Sequence, residues 1–569
     1  MLLGQDRNFD LANYHLYNGF SFLNNKIDLD IAAAGVQTYL NPILDTFFYY
    51  LNTHLNGYLF GFLMGCIHGI NIVLLYKIIN QVFILPRFKN YRKLIIVILA
   101  AGCFTPNFLA GLGSSMGDNS TSIFVLGALF LLLRNWKSLA NNSYRIAASI
   151  LSAGFLLGVA SALKLTNLPF AISMGLSLFI YKSNLRCRLR ICCYLLLGAL
   201  AGILIFGGFW YLKMWEIFGN PIFPYLSNIF VNPNSVYINP TTDWLPRGFF
   251  ENLFWPYIFS FNYHRVGEGN FRQILWPIFY TFLFLSAFYF FIKSTSNTKK
   301  TYRTVDDTKL LFLVVYVTIS YFIWMRVFSV LRYMVSIELL LPLIIFILWI
   351  SLCKNNIFLI KRLLFLSIVL TLFGGFSTWG HSRWTSPAFR SQLPQDINKN
   401  SSVILVGSTP LTWMVTQFPS SIAFFRFGPP FKLDQNIRNR IALRNSPTYV
   451  MFGGFYNWRV DNVHSWNTIV SRLGMTKSKQ SCASLGNFIS RIKFRGKVEQ
   501  LFESEDACKL SILDRDYIDP NLGNNFFITE AKTEIAKYNY TFDDSSCKIY
   551  EANIGSQNWR YIWCEVLMR

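Results

Sequence analysis

Residues 182–212 read KSNLRCRLRICCYLLLGALAGILIFGGFWYL, and this stretch decides the fold. Its first nine residues hold four Lys or Arg, and the twenty-two that follow hold no charge. A run of about 20 apolar residues is the length of a membrane-spanning helix. Lys and Arg gathered at one end mark the cytoplasmic end. The composition of the whole chain agrees. Of 569 residues, 53% are hydrophobic and 14% charged, with 55 Phe, where soluble domains carry about 25% charged. Disorder, collagen, coiled coil and an ordinary cytosolic enzyme are excluded, and an α-helical polytopic membrane protein is predicted.

Working outward, ten apolar stretches stand out, at about 57–80, 94–112, 121–133, 146–163, 168–181, 191–212, 274–292, 310–325, 334–353 and 363–379. Their connections alternate in charge. Loops 87–93, 134–145, 182–190, 293–309 and 354–362 hold four, three, four, five and three Lys/Arg. Loops 113–120 and 164–167 hold none and one, and loop 213–273 only four. The positive-inside rule puts every basic loop in the cytoplasm. Residues 1–56, loop 213–273, the short loop 326–333 and residues 380–569 are then external. The net charge of +23 follows this order, with +16 over residues 1–379 and +7 over 380–569, so it speaks for topology and not for nucleic acid. An external segment of 56 residues needs a way across. Met1-Leu2-Leu3-Gly4 reads as the last turn of a helix whose beginning lies upstream of this start; the alternative is a segment that crosses unaided.

Residues 380–569 change character and predict a small extracytoplasmic α/β domain after the transmembrane domain 1–379. Ser402–Gly407, Pro447–Phe452 and Asn525–Thr529 read as strands, and Thr409–Phe418, 463–474 and 530–537 as helical. Cys482, Cys508, Cys547 and Cys564 lie in this part, where an oxidising compartment predicts at least one disulfide, with the pairing open. The other six cysteines lie in or beside apolar stretches and read as reduced packing residues. No CxxC, HExxH, Walker or GxGxxG spacing occurs.

Charged residues near an apolar slab cost roughly 2.5–3.5 kcal/mol each on insertion scales, so each one needs a reason. In the first external segment, Asp10, Tyr14 and His15 fall on one helical stretch. A carboxylate beside aromatic rings suits proton abstraction from a sugar hydroxyl, and an N-cap is the plainer use of Asp10. Asn41-Pro42 opens a second helix, Ile43–Leu51, in which Asp45 reads as a structural cap. Asp118 is the one charge of loop 113–120, as a helix cap or as a second carboxylate of a site. Lys164 either snorkels or binds phosphate. Loop 213–273 is rich in Trp, Tyr, Phe and Pro and reads as a lid or groove, ending in His264 and Arg265 as phosphate or acceptor contacts. Arg332 and Tyr333 open a late span before Pro342. There the guanidinium can hold a phosphate, and Glu338 either joins it or neutralises an Arg inside the bundle.

These residues, in this order and on one side of the membrane, resemble the polytopic C-type glycosyltransferases (GT-C), which use a polyprenyl-phosphate-linked sugar. That family carries D-E-x-x-Y in its first external loop; here Asp10-Leu11-Ala12-Asn13-Tyr14 keeps Asp and Tyr, with Leu11 in place of the second acid. Two interfacial helices follow in the family, and residues 11–24 and 36–51 match them. A second acid matches Asp118, a loose G-x-x-x-G/A-x-K-x-T segment matches Gly158–Thr166, and an R-Y pair matches Arg332-Tyr333. The first family span has no counterpart here.

The resemblance implies an inverting hexosyl- or pentosyltransferase in a bacterial inner membrane, acting at the outer face. Asp10 would be its general base, with Asp118 a second catalytic acid. Tyr14, His15, Lys164, His264, Arg265, Arg332, Tyr333 and Glu338 would bind substrate. The partners implied are a polyprenyl-phosphate sugar donor, a lipid, glycan or protein acceptor and membrane lipids, without nucleic acid; a divalent cation is left open. The rival reading is a lipid-sugar flippase or secondary transporter, which predicts midplane charges and an inverted repeat.

Overall fold

The computed structural model describes residues 2–230, 242–295, 305–353, 356–428, 431–501 and 504–568. The chain forms two compact units. The first comprises Met1–Leu23, Val36–His381 and Pro429–Lys432; the second comprises Asn24–Gly35, Ser382–Gly428 and Leu433–Arg569. Parts of loops 213–273, 293–309 and 354–362 lie outside the described residues.

The first unit is helical. Among the described residues, five helices are long and apolar enough to cross a membrane: Gly57–Phe83, Tyr144–Leu163, Leu185–Phe218, Asp306–Val327 and Ile357–Gly375. Leu331–Glu338 and Leu341–Leu352, bent by 58°, make a sixth if taken as one span. Of the other apolar stretches, 274–292 gives the 21-residue helix Leu275–Thr295, and the rest give shorter helices. Stretch 94–112 breaks at Phe104–Thr105, where Pro106 opens a new turn, leaving Ile95–Cys103 and Pro106–Ala110. Leu165–Ile180 is likewise short. Hydropathy counts apolar residues and does not register where Pro or Gly interrupts the helical ladder, so ten stretches yield five or six long spans.

Local signals fix the ends. Asn56 and Asn184 cap their helices by accepting from Leu59 N and Cys187 N. The 34-residue helix Leu185–Phe218 stops at Gly219, whose φ of 60° is left-handed. Leu196, Leu200, Leu204 and Leu212 form an exposed row along it, as a face turned to lipid would. Its other face meets Tyr144–Leu163 through four glycines. A Cβ on Gly154 or Gly158 would collide with the Leu195 or Ala199 carbonyl, and one on Gly198 or Gly202 with the Leu151 or Phe155 carbonyl. This is close small-residue packing of two apolar helices.

The second unit centres on a seven-stranded sheet. Its order is Phe389–Ser391, Lys548–Ile554, Gln557–Met568, Thr448–Gly453, Ser402–Leu405 and Ala423–Phe425, with Tyr540–Phe542 pairing Gln557–Met568 off that path. Ser402–Leu405 runs parallel to both of its neighbours, and the other pairs are antiparallel. Residues 24–35 join this unit: Ile31 bridges Phe425, and Lys26 pairs with Asp30 at 2.9 Å. The expected strand Asn525–Thr529 lies inside the helix Pro520–Ala536. The reason is at its start: Asp519 accepts from Asn521 N and Leu522 N and Pro520 takes the first helical position, so helix nucleates ahead of the aromatic pair. The Thr409–Phe418 pattern is helical only over Thr412–Val415. Cys482 is bonded to Cys508 and Cys547 to Cys564; the six cysteines of the first unit are free.

Candidate functional site

The first unit contains a cavity of about 300 Å³. Asp10, Tyr14, His15, Lys164, Arg332 and Tyr333 all line it. They come from three separate parts of the chain, each positioned by a distinct local cause.

Asp10 precedes Leu11–His15, a π turn that runs into the helix Leu16–Leu23. The turn carries one residue more than an α turn, and such turns recur at functional sites. Asp10, Tyr14 and His15 all reach the cavity wall. Upstream, the buried Asp6 carboxylate accepts from Asn8 and from both Ser115 N (2.7 Å) and Ser115 Oγ (2.8 Å). That network ties the N-terminal segment to loop 113–120, and no spacing in the sequence announces it.

The helix Ile43–His54 begins after Asn41-Pro42. Asn41 Nδ2 donates to the Ala162 and Phe206 carbonyls, both at 2.8 Å, one on each of the glycine-packed helices. Those helices in turn fix Lys164, the residue just past Leu163. Lys164 Nζ lies 2.7 Å from Asp118 Oδ1 and donates to the Met116 carbonyl at 2.7 Å. Asp118 is the first residue of the helix Asp118–Arg134, after Gly117 at φ 83°. It therefore sits at the positive end of a helix and against a lysine at once. Asp118 lines a smaller neighbouring cavity of about 10 Å³, shared with Met116, Arg332 and Trp379.

Arg332 sits at the start of the bent helix pair. Its Nη1 donates to Asp10 Oδ2 at 2.8 Å, and the guanidinium lies 5.4 Å from the Tyr333 ring and 5.5 Å from the Trp379 ring. Burial works against the Asp10 carboxylate. The charges of Arg332, His15 and Lys164 outweigh it, and the carboxyl is held below its usual value. Burial and the neighbouring Asp10 charge push the Tyr14 phenol well above its usual value, so it stays protonated. Asp45 proves to be more than a cap: its Oδ1 lies 2.6 Å from His15 Nδ1.

The aromatic loop supplies a wall. Pro221, Phe223, Pro224 and Tyr225 line the cavity. Phe218 stacks on Phe223 at 3.9 Å, and Trp210 Nε1 donates to the Tyr39 carbonyl at 2.9 Å. Residues 231–241 of the expected lid lie outside the described residues.

Three expected contacts stand apart from the cavity. Arg265 is held by Glu251 through two bonds of 2.8 and 2.9 Å, which pull the Glu251 carboxyl down to about 2. The neighbouring His264 is exposed, with its ring against Tyr263. Glu338 is fully buried and bonded to the Asn107 side chain, not to an arginine. A carboxyl one and a half turns inside an apolar bundle takes the nearest buried amide.

Among the described residues, no group of three or more His, Cys, Asp and Glu is placed to hold a metal ion. Asp10 and Asp118 are each paired with a cation, Arg332 and Lys164.

No protein-family model matches the chain, and no curated protein matches it. Among solved structures, it is similar to the crystal structure of the Archaeoglobus fulgidus oligosaccharyltransferase in complex with zinc and sulfate, at 11% identity and a TM-score of 0.41. The match covers 79% of this chain and 64% of that one, so this chain spans less than two thirds of that protein's length.

Proposed function

We propose that this chain is a membrane glycosyltransferase that moves a sugar from a polyprenyl-phosphate donor to an acceptor hydroxyl at the outer face of a bacterial inner membrane. One observation carries the reading: Asp10, Arg332 and Lys164 converge on one aromatic-walled cavity. Two fixed cations suit a phosphate, a carboxylate suits a hydroxyl proton, and rings suit a sugar face.

In the reaction, the donor phosphate takes over Arg332 and Lys164 from Asp10 and Asp118. Freed of its cation, Asp10 binds a proton more readily. The acceptor oxygen attacks the anomeric carbon from the face opposite the phosphate, and its proton passes to Asp10. The bond from carbon to phosphate oxygen breaks, and polyprenyl phosphate leaves as an anion held by the same two cations. One displacement inverts the anomeric centre. Asp118 acts as the resting partner of Lys164, and Tyr14 and Tyr333 flank the sugar. His264, Arg265 and Glu338, apart from the cavity, are left as supports of the surrounding elements.

The same reading takes all ten apolar stretches as crossings, with the short helices completing the bundle, and puts the second unit outside. The even set of bridged cysteines there and the free ones in the first unit support that side. A flippase would need its charges at the midplane. The deciding experiment is transfer from a radiolabelled polyprenyl-phosphate sugar by the purified protein in liposomes. Donor binding without transfer to any lipid, glycan or protein acceptor, together with movement of the donor across the bilayer, would favour the flippase.

A further inference from the structure

We propose that His15 is the residue of this cavity that reads a sugar hydroxyl, an inference that rests on the glycosyl-transfer reading above. His15 belongs to the π turn and Asp45 to the helix Ile43–His54. A carboxylate accepts, so at 2.6 Å His15 Nδ1 carries the proton that Asp45 Oδ1 receives. The other ring nitrogen is then left to meet a ligand, with a lone pair in the neutral ring and an N–H in the charged one. That atom, His15 Nε2, is buried and has no hydrogen-bond partner among the described residues. The residue itself, 7% exposed, lines the cavity.

Buried polar atoms without partners are uncommon and costly, so each one asks what completes it. Here the protein has spent two further bonds on fixing the ring. Asn18 Nδ2 donates to Asp45 Oδ2 at 3.3 Å and to the Gln37 carbonyl at 2.9 Å, which holds the carboxylate that holds the imidazole. Outer partners of this kind set a histidine's tautomer and ring direction. The Tyr14 ring, 4.1 Å from the imidazole, fixes it from the side. The cavity already has its phosphate partners in Arg332 and Lys164. A fixed ring nitrogen on a residue of the same wall fits an O–H, which can donate to it or accept from it, and in a cavity that takes a sugar the O–H is a sugar hydroxyl. It belongs either to the donor sugar or to the acceptor.

A simple latch between two helices would need only Nδ1. The two halves of the imidazole can be tested apart. His15→Asn places an amide N–H near the Nδ1 position, keeps a partner for Asp45 and removes Nε2. His15→Gln reaches the Nε2 position and gives up the Asp45 bond. The full-length protein in nanodiscs is titrated with polyprenyl phosphate and with a non-transferable polyprenyl-phosphonate hexose, and the acceptor KM is measured in transfer. His15→Asn is expected to leave binding of bare polyprenyl phosphate unchanged. It should weaken hexose-lipid binding about tenfold if the hydroxyl is the donor's, or raise the acceptor KM about tenfold if it is the acceptor's. His15→Gln should keep most of that affinity. The proposal is overturned if His15→Asn changes neither quantity, if His15→Gln is the more damaging, or if His15→Asn weakens bare polyprenyl phosphate equally. A wild-type protein that binds no polyprenyl phosphate removes the transferase reading and this inference with it, a result distinct from the other three.

Discussion

The Asp10 carboxylate and the Arg332 guanidinium meet at 2.8 Å across 322 residues of chain. Neither residue is a complete site alone. Paired, they place a proton acceptor and an anion partner within one side-chain length of each other, and either one is a competitor for whatever binds the other.

That competition separates two substitutions. Asp10→Asn should lower transfer by about 10²–10⁴-fold, because the amide cannot take the acceptor proton. It should not weaken the donor, since Arg332 loses an internal partner and keeps its charge. Arg332→Ala should weaken donor binding about 10- to 100-fold along with turnover, the size expected for a lost charge-assisted contact. Binding of polyprenyl phosphate and transfer from a labelled donor, measured side by side, check both. Near-normal transfer by Asp10→Asn would remove Asp10 as base and shift attention to Asp118.

The same pair predicts a pH signature. With its pKa lowered from 3.8 in the ligand-free protein, Asp10 stays ionised as pH falls through mild acid. A depressed carboxyl pKa contributes stability that is present above the unfolded value and lost as pH falls through the folded one. The acid limb of kcat/KM, which reports the free enzyme, should therefore lie below pH 3.8. The limb of kcat should lie higher, because the bound phosphate has drawn Arg332 away. Coincident limbs would contradict the exchange of partners.

Glycine packing makes a third prediction. Gly158→Leu and Gly198→Leu should each destabilise the purified protein and weaken donor binding, because both push apart the helix pair that fixes Lys164. Gly65→Leu is the control, since a Cβ there meets nothing within 4 Å. Thermal unfolding of the solubilised protein and donor titration measure the two effects. Equal behaviour of all three variants would refute the steric account.

A fourth concerns the side of the membrane. Mass mapping without reductant should recover the peptides of Cys482 joined to Cys508 and of Cys547 joined to Cys564. A reporter active only in the cytoplasm, fused after residue 400, should be silent. Four free thiols, or an active reporter, would place the second unit on the other side.

Much of the site could be read from the sequence because its signals are local. Asp10 and Tyr14 sit four apart ahead of an amphipathic run, Asn41-Pro42 opens a helix, and Arg332-Tyr333 marks the mouth of a span. What escaped depends on partners far along the chain. Asp45 reads as a cap until His15 is beside it, and Asp6 reads as nothing until Ser115 supplies its donors. Glu338 reads as an arginine's partner, but Asn107 reaches it first. Arg265 looks like a phosphate contact because Glu251, fourteen residues earlier, is not visibly aimed at it. The break in 94–112 and the helix through Asn525–Thr529 were hidden for the opposite reason: both are decided by one or two residues at an element's start, which averages over apolar content do not weigh.

The π turn at Leu11–His15 gives the length of this segment a meaning that its composition does not have. A π turn takes up one surplus residue while the winding on either side of it continues nearly in phase. Deleting a single residue there would let the turn relax to ordinary helical winding and leave Asp10 close to its present direction. The helix Leu16–Leu23 has no residue to spare, and a deletion inside it would swing everything ahead of the cut by about 100° and turn Asp10 away from Arg332. Among sequences that share this architecture, one-residue gaps should therefore fall in the π turn, where they spare the pair, and not in the helix behind it.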